Sequence, residues 1–185
     1  MKNLVKHFVT ITRHRHLVLK YCFKCGLYKQ GLLHDLSKYS FVEFINGVRY
    51  FAGNHSPITN ERKDKGYSDA WMHHKGRNKH HSEYWIDLNK ATNKYEPIEM
   101  PDRYIGEMFC DRLAASKNYN RKNYNSNMPL EYLYRTKDST PMHPNTFLKL
   151  ESLIKMYIEV GEKETFKYIK KNMRKKYLWK LYHLM

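Results

Sequence analysis

The chain has 185 residues, enough for one sizeable hydrophobic core, and nothing in its composition suggests a second domain. Although 41% of the residues are hydrophobic, no run approaches the ~20 apolar residues of a membrane-spanning helix. Lysine and arginine outnumber aspartate and glutamate by 34 to 18, and the formal net charge of +16 favours an anionic, phosphate-bearing partner, nucleic acid included.

Three cysteines are too few, and odd in number, for a disulfide framework, and the first residues do not resemble a secretion signal. We therefore expect a reducing compartment, the cytoplasm. Cys22 and Cys25 form a C-x-x-C pair, but no second pair completes a zinc site. Their place in an apolar-periodic stretch favours two small core residues over a structural-metal or redox role.

The apolar residues of the N-terminal segment recur at helical spacing over residues 4–26, which predicts one helix or a helix pair ending at Gly26. A short apolar segment follows over residues 32–36. Ser40 and Glu43 have the spacing of a capping box, which predicts a helix over residues 41–51.

The next part of the chain is richer in polar residues. Residues 52–67 are predicted to form a surface loop that could act as a lid. Ser68 is positioned to cap a short helix reaching His74, and Asn78 to cap another over residues 79–86. A second polar loop is predicted over residues 87–100.

Pro101 is a favourable first helical residue, and we predict a helix over residues 101–116 with Glu107 and Asp111 on one face. Further helices are predicted over residues 130–135, 145–160 and 163–182. Strand alternation is weak throughout. The sequence therefore predicts an all-α fold of about six to eight helices in a single domain, residues 1–185, with a core at about 4–160 and a basic C-terminal helix at about 163–185.

Histidines provide the clearest functional signal. Four of the eleven histidines lie between His73 and His81, and another directly precedes an aspartate in His34-Asp35. Imidazole and carboxylate groups suit one or two divalent ions of Fe, Mn, Co, Zn or Mg. A neighbouring His and Asp at a helix end can reach the same ion if the local backbone is irregular.

The order of these residues resembles that of the His-Asp (HD) metal-dependent phosphohydrolase superfamily, in which a His, a His-Asp doublet, two further His in some members, and a final Asp bind metal. His34-Asp35-Leu36-Ser37-Lys38 resembles the doublet segment. His14 resembles the first ligand, with His16 as the fallback. The remaining metal positions correspond to His74, His80 or His81, and Asp111. Residues 71–81 and 83–85 also resemble an uncharacterised bacterial and phage branch of HD-like proteins.

The resemblance implies hydrolysis of a phosphoester or phosphoanhydride of a nucleotide or other small phosphorylated compound. Asp35 would bridge or orient the metal ions, and Glu83 or Glu107 would hold a histidine or act as a general base. Catalytic roles are thus expected for Asp35, Lys38, Arg77 and Glu83. The predicted substrate phosphate ligands are Lys38, Lys75, Arg77 and Lys79, which a solvated basic loop would explain equally well.

Three other functions remain open from the sequence, one of them a phage or host interaction protein with a relic site that binds no metal. An HD-type di-iron site could oxidise a substrate with O₂. Alternatively, the histidines could hold a structural ion in a nucleic-acid-binding module, since aromatic and basic residues interleave over residues 117–135. The basic segment 170–179 could also contact nucleic acid, although docking of a terminal helix on the core is the favoured interpretation.

Overall fold

The computed structural model describes residues 2–173 of a mostly α-helical chain. Its helices are α1 (Lys2–Lys24), α2 (Tyr28–Leu33), α3 (Phe41–Arg49), α4 (Pro57–Lys65), α5 (Asp69–Lys75), α6 (Asp102–Asn120), α7 (Met128–Arg135) and α8 (Pro144–Asn172). Antiparallel strands β1 (Ile86–Asn89) and β2 (Lys94–Pro97) form the sheet of this part of the chain. The predicted terminal helix can be followed only to its residue 173, so most of the basic 170–179 segment lies outside the described residues.

The hydrophobic core lies between α1, α6, α7 and α8. Helix α6 is the central element, because its residues 105–110 are buried without interruption. A helix buried around most of its circumference can present one face to the core and another to a functional site. Glu107 and Asp111 lie on this helix, one turn apart.

Helix α2 packs closely against α1 at Gly31. A Cβ atom at this position would lie 2.9 Å from Cβ of Cys22 and 3.3 Å from Cδ1 of Leu19, both on α1. Glycine therefore permits the close helix approach. Because α2 leads directly into His34 and Asp35, this contact fixes the doublet relative to α1.

The predicted surface loop over residues 52–67 is wrong, because it contains α4. Pro57 starts this helix and Gly66, with φ of 81°, ends it. The helix has few apolar residues, so apolar periodicity could not reveal it. Its buried Glu61 accepts hydrogen bonds from the Ser68 hydroxyl and the backbone N–H of Asp69, which ties α4 to α5.

The predicted helix over residues 79–86 and the loop over 87–100 are also wrong. A single 3₁₀ turn, Ser82–Tyr84, precedes the two strands, which pair from Ile86 with Pro97 to Asn89 with Lys94. Half-buried and exposed residues alternate in β1 but not in β2, and a strand of four residues is too short for this alternation to distinguish it from a loop in the sequence.

Other predicted helices are confirmed. The N-terminal segment is one helix, Ser40 and Ser68 cap α3 and α5, and α6 extends beyond the predicted end. The two predicted C-terminal helices are the two segments of α8, which are separated by a kink at Gly161, whose φ of 78° and ψ of −177° are not helical. None of the helices within residues 2–173 has the length and apolar character needed to cross a membrane.

Candidate metal centre

Two groups of potential metal ligands meet at Asp35. The first cluster contains His14, His34, Asp35 and Asp111, and the second contains Asp35, His74, His80 and His81. Within each cluster, one ligand atom from every residue lies within 4.8 Å of the others. Side chains from α1, α5, α6, the turn that follows α2 and the segment that follows α5 are thus brought together.

The backbone of Asp35 is left-handed, with φ of 54° and ψ of 23°, directly after the end of α2. This conformation is uncommon for residues other than glycine, although aspartate tolerates it better than most. It provides the irregular geometry by which neighbouring residues His34 and Asp35 face the same centre. Arg15 of α1 supports the turn by donating hydrogen bonds to the carbonyl oxygens of Leu32 and His34.

The two carboxylate oxygens of Asp35 face different histidines. Oδ2 lies 3.5 Å from Nε2 of His14 and 3.3 Å from Nε2 of His34. Oδ1 lies 3.3 Å from Nε2 of His74 and 3.5 Å from Nε2 of His80. One carboxylate therefore joins the two clusters, which is the arrangement of a bridging ligand.

Several buried ligand atoms have no hydrogen bond of acceptable geometry with any described residue. They are Nε2 of His14, His34 and His80 and the carboxylate oxygens of Asp35, although Lys38 forms an ion pair with Oδ2 of Asp35 and Asp111 lies 2.9 Å from Nε2 of His14. Buried polar atoms are normally satisfied, because an unpaired one costs about 1–3 kcal/mol. A divalent cation would satisfy these nitrogen and oxygen atoms together, so the donor set fits a metal ion.

Glu107 orients one histidine from each cluster. Its Oε1 atom lies 3.0 Å from Nδ1 of His34 and 3.1 Å from Nδ1 of His80. Because a carboxylate only accepts, each Nδ1 carries a proton, and a metal ion that displaces any proton from Nε2 would find that lone pair facing the centre. Glu107 thus has the supporting position predicted for it.

Glu43 orients a third histidine, a role that the sequence analysis missed. Its Oε2 atom lies 2.7 Å from Nδ1 of His74, and its Oε1 atom lies 2.6 Å from Nδ1 of His73. Ser40 does accept from the Glu43 backbone N–H, but the Glu43 side chain turns toward α5 rather than back to the cap. Because Ser40 and Glu43 have the spacing of a capping box, the sequence predicted a helix cap and gave no indication that Glu43 contacts His74.

The charges of the site favour ionised carboxylates. Burial opposes ionisation of Asp35, but the charges of His34, Lys38 and His74 outweigh it and hold its pKa well below the ordinary value. Burial likewise opposes ionisation of Asp111, but the neighbouring His14 and His34 rings lower the pKa of this carboxyl well below its ordinary value. The anionic oxygens that a cation requires are therefore available near neutral pH.

The site opens near Asp111 and Lys38. Their side chains are 17% and 28% exposed, whereas those of His14, His34, Asp35, His74 and His80 are at most 7% exposed. Lys38 Nζ lies 2.5 Å from Oδ2 of Asp35. The lysine therefore lies where an incoming anion would approach the centre.

Other predicted residues lie outside the clusters. His16 is exposed, and His73 contacts Glu43 instead of Asp35. Glu83 accepts a hydrogen bond from Ser82, Arg77 donates to the His73 carbonyl, and Lys79 lies over the Tyr84 ring. Lys75 is partly buried. Asn78 does not cap a helix, because its amide donates to the His74 carbonyl and the Ser37 hydroxyl.

The three cysteines are buried in the core, and Sγ of Cys25 lies 3.8 Å from Sγ of Cys110. Burial raises the pKa of the Cys110 thiol, which disfavours the reactive thiolate. No cysteine belongs to either cluster within the described residues. Their packing agrees with the interpretation as core residues.

A protein-family model described as a family of unknown function, DUF5662, matches residues 3–156. All residues of the two clusters lie inside this match. Searches of the curated proteins and of the solved structures find no match to the chain.

Proposed function

The chain belongs to the DUF5662 family, and we propose that it is a metal-dependent phosphohydrolase acting on a phosphoester or phosphoanhydride of a small anionic compound. The observation that carries this proposal is the position of Asp35 between two sets of histidines. The order of the ligands along the chain, which resembles that of HD phosphohydrolases, supports the same assignment. The high positive charge is consistent with a phosphorylated substrate.

The first ion would be held by His14, His34, Asp35 and Asp111, and the second by Asp35, His74, His80 and His81. Bound divalent ions polarise a phosphoryl group and lower the pKa of water to about 7. Iron, manganese, cobalt and zinc are all compatible with these imidazole and carboxylate groups, whereas magnesium favours sites richer in oxygen.

The protein's own residues would supply the positioning. Lys38 lies at the open side of the site, where its ammonium group can bind a phosphate oxygen and offset negative charge as the phosphorus–oxygen bond breaks. Asp111, whose side chain is more exposed than that of Asp35, lies at the same side and can orient a water there by accepting its hydrogen bond. Glu43 and Glu107 hold the histidine rings in fixed orientations, which avoids reorganisation during the reaction.

The proposal can be tested by elemental analysis of the purified protein and of the variants Asp35→Asn, His14→Ala and His16→Ala. We expect the first two substitutions to reduce bound metal sharply. His16 provides the matched control, because it lies on the same helix but is exposed. Equal metal content in the His14→Ala and His16→Ala proteins would contradict the assignment of the first cluster.

Activity is tested with the metal-loaded protein on a panel of phosphomonoesters, phosphodiesters and nucleoside polyphosphates. Hydrolysis that requires both metal and Asp35 would support the proposal. Metal-loaded protein that hydrolyses no member of the panel would refute it. Salt-sensitive binding of DNA or RNA by such a protein would instead favour a nucleic-acid-binding module, and metal-dependent O₂ consumption would favour oxidation chemistry.

A further inference from the structure

Arg112 follows Asp111 on α6, and its guanidinium group is incompletely satisfied. Its Nη1 atom is shielded from solvent and has no hydrogen-bond partner among the described residues. The charged and titratable groups that reach it are Tyr132, Asp111 and Glu83. Arginine stays charged at neutral pH, so a buried N–H without an acceptor is an available donor to an anion.

An aromatic ring holds the Arg112 side chain in place. The Arg112 Cζ atom lies 5.3 Å from the centre of the Tyr132 ring on α7, and Cζ of Arg135 lies 5.4 Å from the same ring. Tyr132 is 46% exposed. The guanidinium group of Arg112 therefore lies beside an exposed residue of α7, and its backbone position on α6 directly follows the candidate ligand Asp111.

On the surface of α6, a small side chain lies between the larger side chains of Arg112 and Tyr119. Positions 112, 115 and 119 lie along one side of the helix, since residues three and four apart are neighbours. Ala115 is the small residue between the two larger ones. Tyr119 and Lys38 line one small cavity, so this side of α6 leads from Arg112 toward the lysine at the open side of the site.

We propose that Arg112 binds a second anionic group of the substrate, next to the phosphoryl group that reacts at the metal centre. This inference rests on the proposed phosphohydrolase function. Lys38 lies directly against Asp35, whereas Arg112 follows Asp111 and contacts Tyr132, so the two cations serve different positions. A substrate with two neighbouring anionic groups engages both.

The chemical class that fits is a diphosphate, or a phosphorylated compound with a carboxylate near the phosphate. A guanidinium group binds both kinds of anion through two parallel N–H···O bonds. The nearby Tyr132 ring limits the freedom of the arginine and so lowers the entropic cost of binding. Simple monoanionic aryl phosphodiesters would use the metal centre without Arg112.

The test measures binding to Mn²⁺-loaded protein by calorimetry, with inorganic pyrophosphate, phosphonoacetate and inorganic phosphate as probes. Wild-type protein should prefer at least one of the two double anions over phosphate by about tenfold or more, because a hydrogen-bonded charge pair contributes about 1.5–3 kcal/mol. Arg112→Gln should remove that preference and leave phosphate binding unchanged. Arg112→Lys should restore part of it.

Arg103→Gln is the matched control. Arg103 also lies on α6, over the Tyr104 ring at 4.8 Å, and its Nε atom also lacks a hydrogen-bond partner among the described residues. It lies eight residues before Asp111, more than two helical turns away from the open side of the site. We expect Arg103→Gln to retain the preference for the double anion.

Three results would overturn the inference: no preference for either double anion in the wild-type protein, a preference that survives Arg112→Gln, or an equal loss in Arg103→Gln. Thermal unfolding of each variant checks the fold, and the wild-type comparison remains decisive if a variant does not fold. Hydrolysis of the panel of phosphomonoesters, phosphodiesters and nucleoside polyphosphates is followed in the same samples. If no hydrolysis occurs but the Arg112-dependent preference is present, the phosphohydrolase proposal fails while the anion site remains.

Discussion

Nδ1 of His74 lies 2.7 Å from Oε2 of Glu43. The carboxylate fixes the ring with its Nδ1 proton toward α3 and its Nε2 atom toward Asp35. Burial opposes ionisation of Glu43, but its hydrogen bond with His74 and the charge of that ring lower its pKa. The acceptor is therefore ionised near neutral pH.

Replacement of this carboxylate should weaken metal binding without removing a ligand. We expect Glu43→Gln to reduce the affinity of the second cluster about 10- to 100-fold, because supporting carboxylates typically contribute that much. Competition titration with a chelator measures the effect. Glu83→Gln is the control, since Glu83 contacts Ser82 and no histidine of the clusters. Equal affinities of the two variants would contradict the supporting role of Glu43.

The close contact between α1 and α2 should make Gly31 sensitive to the smallest substitution. In Gly31→Ala, the new methyl group would meet Cβ of Cys22 at 2.9 Å, and α2 would have to shift. We expect a loss of about 1–3 kcal/mol in the free energy of unfolding, or a melting temperature lower by about 2–12 °C. Bound metal should also decrease, because α2 carries the His34-Asp35 doublet.

Gly76→Ala is the control for that experiment. The nearest atom to a Cβ at this position is the Met72 carbonyl oxygen at 3.7 Å, an ordinary contact, and its φ is −73°. We expect no loss of stability there. A Gly31→Ala protein as stable as the Gly76→Ala protein would show that α1 and α2 do not pack as tightly as described.

His7 should make the stability of the protein depend on pH. Burial, together with the charge of Lys38, lowers the pKa of His7 from 6.5 to about 4. The unfolded chain therefore binds a proton at a higher pH than the folded protein does. The contribution of His7 to the free energy of unfolding is therefore complete above pH 6.5 and decreases as the pH falls toward 4.

The measurement compares urea unfolding of metal-free wild-type and His7→Phe proteins at pH 7 and pH 5. The variant keeps an aromatic ring against Phe44 and Phe51 but cannot bind the proton. We expect the wild-type protein to lose about 1–2 kcal/mol more than the variant between these pH values, after allowance for partial solvent screening. An identical pH dependence of the two proteins would contradict the low pKa.

Apolar periodicity and helix-capping residues were sufficient to predict α1, α3, α5 and α6. The same rules failed for α4 and the two strands, because their stability depends on contacts that leave no periodic pattern. Glu61 illustrates the difficulty: it is almost completely buried, yet its partners Ser68 and Asp69 belong to the next helix. No local rule relates these residues.

The convergence of the candidate ligands followed from chain order, but the choice among neighbouring histidines required coordinates. Helical rotation separates buried His14 from exposed His16, and His73 from His74. Glu43 and Arg112 were overlooked for another reason. Each is an ordinary residue of an amphipathic helix in the sequence, and its importance arises from the partners it meets, or lacks, after folding.

The kink at Gly161 has a consequence for the limits of the folding unit. The family match ends at residue 156, but the chain beyond the kink returns Phe166 and Ile169 to the protein interior. Phe166 packs against Tyr21 and Phe109, and Ile169 lies where Gly106 leaves room for it. A protein truncated at the end of the family match would retain every candidate ligand but expose the apolar surface behind α6, so the matched region is shorter than the region that packs as one unit.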